Sequence, residues 1–229
     1  MTLNISGIPV EISKRNIKNM RLYVKPPNGD VMVSAPLSMS DDVIVKFVRS
    51  KTSWIKKQVD KINNQPCQSK REYVSGETLN VWGKQYNLQV KIGKKNSFIL
   101  SGDTAILTTR KKSTIDQRKK TVHEWYRKLL KAEITRLLPK WEMKTNLKVT
   151  SWHIRYMTSR WGSCKPNQGK IWFNLQIAAK PPECLEYIIL HELMHFIERG
   201  HNKKFYSLMD KYMPAWKNVR VLLKKQTLG

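Results

Sequence analysis

Cysteine is scarce in this sequence of 229 residues, which contains only Cys67, Cys164 and Cys184. An odd number of cysteines without CxxC spacing argues against a disulfide framework and against a cysteine-based zinc site. Free thiols are typical of proteins in reducing compartments. We therefore expect a cytoplasmic protein.

Long hydrophobic runs are also missing. The longest uninterrupted apolar stretches are only a few residues long, such as Tyr187 to Leu190. A membrane-spanning helix needs about 20 predominantly apolar residues, and a signal peptide needs a continuous apolar segment that the N-terminal region here does not have. We expect neither a membrane span nor a signal peptide.

Acidic residues are few. The chain carries 17 Asp and Glu against 43 Lys and Arg, which gives a formal net charge of +26. Such a charge attracts polyanions, and basic residues are especially dense between Arg110 and Lys131. This density fits either a surface that contacts nucleic acid or a solvated helix face, and charge alone does not decide between the two.

The hydrophobic pattern predicts an α+β fold that begins with a β-rich N-terminal module, residues 1–110, containing one helix. Turn residues at Pro26–Gly29 predict a hairpin, and short strand-like runs punctuated by glycine fill residues 73–109. Ser40 predicts the start of the helix. Its apolar residues follow helical spacing and are Ile44, Val48, Ile55, Val59 and Ile62. A linker is expected at residues 63–71, and no internal repeat is evident.

The remaining residues, 111–229, are predicted to form a second domain of mixed composition. Ser113 opens a long helical pattern that Pro139 ends or kinks. Two strands are expected at residues 149–156 and 170–175. A further helix begins at Pro181–Glu183, since proline followed by a carboxylate is typical of a first helical turn.

Three of the five histidines lie in one short stretch of that helical pattern, HELMHFIERGH, from His191 to His201. His191 and His195 are one helical turn apart, so both imidazoles can reach the same metal ion. Gly200 predicts a helix stop, and a chain reversal there brings His201 back to the same point. Three neutral imidazoles leave the fourth position of a tetrahedral Zn²⁺ open, which is typical of a catalytic zinc site.

The acidic residues of this stretch have separate interpretations. Glu192 is the candidate general base, because a carboxylate beside zinc-activated water can accept its proton. Glu198 is a rival third ligand, yet it lies about 10 Å along the helix from His191, and zinc bonds are only about 2 Å long. His201 is therefore the better candidate. Imidazoles also accept Ni²⁺ or Co²⁺, and histidines that bind no metal are the remaining alternative.

Several stretches carry a family resemblance, namely TSWIKKQV (Thr52–Val59), VWGKQYNLQV (Val81–Val90), RWGSC (Arg160–Cys164), IWFN (Ile171–Asn174), PPECLEYIILHELMH (Pro181–His195) and GHNKKFYSLMDKYMPAWK (Gly200–Lys217). They resemble the YgjP-like metallopeptidases, which are relatives of the SprT and WLM zinc-dependent proteases. The resemblance covers nearly the whole chain.

The resemblance implies a zincin-like α+β catalytic domain at residues 111–229 that acts on polypeptides. It also implies that Zn²⁺ is held by His191, His195 and His201, with Glu192 catalytic. Metzincins share this ligand spacing but have glycine where this chain has Glu198, so the turn after the second histidine must differ.

The segment Lys170–Leu175 is a candidate strand to which an extended substrate adds. Arg160 and Asn174 are candidate substrate or oxyanion contacts. The alternatives are that Trp161 and Trp172 pack the domain and that Arg160 forms a structural salt bridge. Packing behind the metal is expected of two aromatic residues, Phe205 and Trp216.

Three functions are consistent with these residues. The leading one is zinc-dependent hydrolysis of peptide bonds, with the basic surface recruiting the protein to nucleic acid. A metal-dependent phosphohydrolase acting on nucleotides is the second, because a cationic cleft also suits a phosphorus centre. The third is a nucleic-acid-associated protein with a structural zinc.

Overall fold

The computed structural model describes residues 1–25, 28–63 and 71–225, which fall into two compact units, Met1–Lys70 and Arg71–Gly229. In the part of the chain that the structure describes, several sheets and six helices confirm the predicted α+β class. Within the described residues, no helix has the length and apolar character that crossing a bilayer requires. The predicted linker and Cys67 lie mostly or wholly outside these residues.

The first unit is a four-stranded sheet packed with two helices. The strand order is β1-β2-β4-β3, with a parallel central pair between antiparallel outer pairs. Alternate residues of the central strands pack with Ile44, Val48 and Ile55 of the helices. The elements are β1 (Thr2–Ile5), β2 (Ile8–Arg15), β3 (Arg21–Lys25), β4 (Asp30–Pro36), α1 (Asp41–Ser50) and α2 (Thr52–Asn63).

Two details of this unit differ from the predictions. The single helix expected after Ser40 is two helices, because the backbone at Lys51 leaves helical geometry (φ −106°, ψ 6°) and ends α1. Ser40 does occupy the N-cap position, but its side chain makes no capping hydrogen bond. The predicted hairpin is confirmed as the antiparallel pair β3 and β4, although Pro26 and Pro27 of its turn lie outside the described residues.

The second unit opens with a sheet of the same topology. Its strands are β5 (Thr78–Val81), β6 (Lys84–Ile92), β7 (Ser97–Ser101) and β8 (Thr104–Thr109), in the order β5-β6-β8-β7. As in the first unit, the central pair is parallel and the outer pairs are antiparallel.

The first hairpin is repeated even in sequence. Strand β1 reads TLNI and strand β5 reads TLNV, and each leads into a two-residue turn whose residues both have positive φ. These angles are 55° and 77° at Ser6 and Gly7, and 49° and 80° at Trp82 and Gly83. Positive φ at both central residues defines the type I′ turn of tight hairpins. The chain therefore contains two copies of one four-stranded module, a repeat that the sequence pattern alone did not reveal.

Helix α3 (Ile115–Thr145) follows the second sheet. Thr114, rather than the predicted Ser113, caps it through a capping box with Gln117. The helix continues past Pro139 and ends only where Asn146 adopts a left-handed conformation, φ 55°, so the alternative in which the proline ends the helix is wrong.

Strands β5–β8 share their hydrophobic core with α3 and with the histidine-bearing segment. Buried residues such as Leu79 and Leu107 of the sheet cluster with Leu130 and Ile134 of the helix. The boundary expected at residue 110 therefore lies inside the second compact unit. The sheet and the elements that follow it form a continuous core, because the apolar face of α3 packs against both.

The rest of the second unit carries His191, His195 and His201. A three-stranded sheet of order β10-β11-β9 precedes three helices. Its central strand pairs antiparallel with β10 and parallel with β9. The elements are β9 (Ser151–Arg155), β10 (Gly162–Lys165), β11 (Lys170–Asn174), α4 (Pro182–Met194), α5 (Lys203–Tyr212) and α6 (Trp216–Lys225), with short 3₁₀ turns at Pro166–Gln168 and Leu175–Ala179.

Candidate functional site

Helix α4 places the first two histidines. Pro182 and Glu183 occupy its first turn and the following residues from Cys184 to Leu190, except Glu186, are buried, so the helix packs almost all round. His191 lies in its last turn, and His195 caps its C-terminus with its backbone N–H donating to His191 O at 3.3 Å. The two imidazoles are therefore one turn apart on the same side of the chain.

The chain reverses after α4 earlier than the sequence suggested. The helix ends at Met194, and Gly200 does not have the left-handed conformation of a helix stop. Turn residues 195–197 make the reversal instead. Glu198 does not join the histidines: its carboxylate accepts from Gly200 N at 3.3 Å and lies 3.9 Å from Lys204 Nζ.

His201 returns to the first two histidines just before α5. The side chain of Asn202 caps that helix by accepting from Phe205 N at 3.1 Å. The ligand-capable nitrogens of His191, His195 and His201 all lie within 4.8 Å of one another. The Nε2 atoms of His191 and His201 are 3.0 Å apart.

This spacing fits one small cation. Two zinc ligands with bonds of about 2.0–2.1 Å at a tetrahedral angle lie about 3.3 Å apart, close to the 3.0 Å between the two Nε2 atoms. His195 Nδ1 lies 3.1 Å from Glu198 O, which orients its ring and leaves its Nε2 for the cluster. The Tyr187 hydroxyl lies 3.5 Å from His191 Nδ1 in the same way.

Aromatic rings support the cluster from behind. Phe205 is 1% exposed and packs against all three imidazoles, with centroid distances of 4.7 to 5.0 Å. A stack then runs from Tyr206 through Trp216 to Tyr187, whose ring meets His191. This arrangement agrees with the packing role expected for Phe205 and Trp216.

The environment of the cluster favours the neutral form of His191 and His201. Burial lowers the pKa of His191 to about 3, and the neighbouring His195, His201 and Arg220 act in the same direction. Burial also lowers the pKa of His201, with contributions from His195 and Arg220. Neutral imidazoles are the form that binds a metal ion.

Glu192 is buried, with 4% of its surface exposed. Burial raises the pKa of its carboxyl to about 7, although a hydrogen bond with the Cys164 thiol and the charge of Arg160 act in the opposite direction. The thiol itself is held protonated, since burial and the neighbouring Glu192 raise the pKa of Cys164 to about 12. Cys164 therefore serves as a hydrogen-bond donor beside this carboxylate.

Gly162 allows this close packing of strand on helix. A Cβ atom at this position would lie 2.5 Å from Glu192 Oε1 and 2.9 Å from Ile188 Cγ2. Real Cβ atoms do not approach other atoms so closely, so the strand can reach the carboxylate only with glycine here.

A cavity of about 560 Å³ opens over the cluster and over Glu192. Strand β10 borders it, and it is an edge strand of its sheet. Its lining residues are Arg160, Trp161, Gly162, Ser163, Cys164, Pro166, Tyr187, Ile188, His191, Glu192, His195, Arg199, His201, Arg220 and Leu223.

The strand to which a substrate can add is not the one that the sequence predicted. Lys170–Leu175 corresponds to β11, which is confirmed as a strand but is paired on both sides, with β10 and with β9. Its backbone groups are already used in the sheet, so no further strand can add to it. The free edge beside the cavity belongs to β10.

The two candidate substrate contacts separate in the structure. Arg160 is exposed and lines the cavity. Asn174 is fully buried and does not line it: its Oδ1 accepts from Met157 N and Gln176 N, and its Nδ2 donates to Met157 O and Arg160 O. Its amide is fully used, and it holds the loop that carries Arg160.

Sequence reasoning did not identify Arg199, Arg220, Tyr187 or Gly162 as site residues. The stretch RWGSC carries part of the family resemblance, but glycine is needed at position 162 because of contacts with a helix later in the chain. Arg220 lies on α6, where no motif marks it. Only the tertiary fold brings it to the cavity.

Residues 18–226 match the family model described as YgjP-like, metallopeptidase domain. Among solved structures, the metallopeptidase zymogen of Methanocaldococcus jannaschii jannalysin is similar at 21% identity, over 40% of this chain and 94% of that one, with a TM-score of 0.36. The metallopeptidase zymogen of Pyrococcus abyssi abylysin is similar at 19% identity, over 42% of this chain and 99% of that one, with a TM-score of 0.37. No curated protein matches the chain.

Proposed function

Because this chain belongs to the YgjP-like metallopeptidase family, we propose that it hydrolyses peptide bonds with a divalent ion, Zn²⁺ by preference, and with Glu192 as general base. One observation carries the proposal. Three clustered imidazoles and one buried carboxylate face the same cavity. A zincin-like catalytic region within residues 111–229 of a cytoplasmic protein is part of this proposal.

His191, His195 and His201 would hold the ion, since three protein ligands leave a position for water or substrate. When bound there, Zn²⁺ supplies a Lewis acid that polarises a carbonyl group and makes water more acidic.

Glu192 performs the proton transfers. A pKa near 7 suits a group that accepts a proton in one step and returns it in the next, and burial gives Glu192 a pKa of about 7. It takes a proton from the attacking water and delivers it to the nitrogen of the leaving amine. Cys164 and Gly162 keep its carboxylate in place on the strand side.

The substrate lies along β10 as an additional antiparallel strand. Gly162–Lys165 forms the edge of its sheet and borders the cavity. An edge strand offers unpaired N–H and C=O groups, and binding through them is independent of substrate sequence. The scissile carbonyl is then held beside the histidines.

The test is hydrolysis of a fluorescently labelled unfolded protein by zinc-loaded enzyme, with and without a chelator. We expect Glu192→Gln to lower kcat by about 100-fold or more, the usual range for a lost general base. Glu198→Gln is the matched control, because its carboxylate faces Gly200 and Lys204 instead. Equal activity of the wild type and Glu192→Gln would refute the assignment.

A metal-dependent phosphohydrolase acting on nucleotides is the second candidate. Three arginines line the cavity, and positive groups stabilise a transferring phosphoryl group. Phosphate release from nucleoside triphosphates without any peptide cleavage, lost in Glu192→Gln, would favour it.

A further inference from the structure

We infer that the cavity selects polypeptide segments carrying acidic side chains on both sides of the scissile bond, and that Arg160, Arg199 and Arg220 bind their carboxylates. This inference rests on the proposed peptidase function and names the substrate class of the same site.

The charge of the cavity is strongly one-sided. Its lining residues include three arginines and only one carboxylate, that of Glu192. Among the described residues, no acidic side chain forms a salt bridge with any of these arginines. A cationic cleft with low-dielectric walls raises the local concentration of anionic ligands.

Contacts with uncharged groups position the guanidinium groups of Arg199 and Arg220, and Arg160 lies on a fixed loop. The loop of Arg160 is fixed where Asn174 Nδ2 donates to Arg160 O at 2.7 Å. Arg199 donates to the amide oxygen of Asn167 at 2.7 Å. Arg220 lies 5.8 Å from the centre of the Trp216 ring, which is buried. Arginines that are ordered in advance bind carboxylates at a lower entropic cost.

The arginines flank the proposed substrate strand. Arg160 comes just before β10, and Asn167, which holds Arg199, comes just after it. A strand of 4 residues spans about 13 Å, so these two positions correspond to opposite ends of a bound segment. Arg220 comes from α6, outside the β10 segment, and lines the same cavity as the histidines. Acidic side chains on either side of the scissile bond can therefore meet a guanidinium.

The experiment compares quenched fluorescent peptides with one common core. One has Glu at the second and third positions on both sides of the cleaved bond, one has Gln there, and two have Glu on one side only. We expect kcat/KM to be about tenfold or more higher for the doubly acidic peptide than for the Gln peptide, as charge-assisted pairs to arginine allow. The preference declines as salt is raised.

Variants of the three arginines show which of them produces the preference for acidic peptides. Arg160→Gln and Arg199→Gln each remove the preference on one side of the bond, and the two affect opposite sides. Arg220→Gln lowers it on both. Lys217→Gln is the matched control, because Lys217 lies on the same helix as Arg220, carries the same charge and points to Asp210 rather than to the cavity. It keeps the full preference.

A binding measurement separates this inference from the proposed chemistry. The zinc-loaded Glu192→Gln protein is titrated with the labelled Glu and Gln peptides, and fluorescence anisotropy is followed. Tighter binding of the Glu peptide supports the inference even if no peptide is cleaved, provided that it is lost when Arg220→Gln is combined with Glu192→Gln. Equal binding or equal cleavage of the two peptides overturns it. Displacement of the Glu peptide by a nucleoside triphosphate that binds more tightly also overturns it, in favour of a phosphate ligand.

Discussion

At the scale of single residues, the proposed role of Glu192 depends on two neighbours that another element supplies. The Cys164 thiol donates to its carboxylate, and Gly162 leaves room for it. Both neighbours lie on β10, before the helix that carries Glu192. The proposed chemistry therefore requires a close approach of strand and helix.

Gly162→Ala tests this close approach. The added Cβ would lie 2.5 Å from Glu192 Oε1, so the carboxylate or the strand must shift, and we expect kcat to fall by about tenfold or more, since small displacements of catalytic groups cost rate steeply. Zinc content should not change. The measurement is peptide hydrolysis beside metal analysis.

Gly200→Ala is the control for that substitution. A Cβ there meets nothing closer than 4.0 Å, and Gly200 lacks the left-handed φ that a helix stop would require. Activity should be retained within about twofold, as for ordinary surface substitutions. Retained activity in Gly162→Ala, or a comparable loss in Gly200→Ala, would contradict this description of the site.

We expect His123 to make the second unit sensitive to acid. Burial first, then the charges of Lys119 and Arg127, lowers the pKa of His123 to about 4, while an unfolded histidine titrates near about 6.5. Above that value neither state binds the proton. As pH falls from about 6.5 towards 4 only the unfolded chain binds it, so stability decreases.

His123→Phe should remove this part of the acid sensitivity. The ring of His123 stacks on Tyr156 at 5.4 Å, and phenylalanine can keep the stacking without titrating. Between pH 7 and pH 5 the wild type should lose about 1 kcal/mol more than the variant, a value reduced for the partial exposure of the ring. Parallel loss of Tm in the two proteins would exclude the role of His123.

At the scale of elements, the two copies of the four-stranded module have different surroundings at their first hairpin turn. In the second copy, Trp82 N donates to Ala178 O at 2.8 Å, and a Cβ on Gly83 would lie 2.9 Å from Pro181 Cγ. The turn of β5 and β6 thus supports the start of α4, the helix that carries His191 and Glu192. In the first copy, a Cβ on Gly7 would meet nothing within 4 Å.

This difference gives a matched pair of substitutions. Gly7 and Gly83 have nearly the same φ, 77° and 80°, so alanine costs a similar backbone strain of about 1–2 kcal/mol at either position. Gly83→Ala should cost about 1–3 kcal/mol more, because it also displaces Pro181. Hydrogen exchange, followed separately in the two units, measures both effects. Equal losses would show that the turn does not support α4.

The pattern of apolar residues predicted most elements, because periodicity depends on local burial. Strand β11, helix α4 and the hairpin of β3 and β4 were all expected near their observed positions. The errors occur where tertiary contacts decide: Pro139 inside α3, the early end of α4, and the pairing of β11 on both sides. None of these is determined by the residues of the element itself.

The candidate site likewise has some residues that local sequence predicts and others that only the tertiary fold brings in. His191, His195, His201 and Glu192 were predicted as a group because they are close in sequence, and the structure brings the histidines together. Arg220 and Gly162 were missed, since their roles arise from elements far apart in the chain. Asn174 was singled out but serves the loop of Arg160 instead of the cavity.

At the scale of the whole molecule, the net charge is +26. The three arginines of the cavity account for only a small part of it. We propose that this charge recruits nucleic acid without sequence preference. A single-stranded oligonucleotide should bind at low salt, with an affinity that falls steeply as salt is raised, by a log–log slope of about 0.7 for each phosphate contact. Glu192→Gln should bind equally well. An affinity insensitive to salt would contradict this proposal.

The most direct test of the account is the metal content of the purified, zinc-loaded protein and its variants. We predict about one zinc ion per chain in the wild type, in Glu192→Gln and in Glu198→Ala, and loss of the ion in His191→Ala, His195→Ala and His201→Ala, because the three imidazoles are its protein ligands. A full complement of zinc in His201→Ala, or its loss in Glu198→Ala, would contradict the three-histidine centre on which the proposed hydrolysis depends.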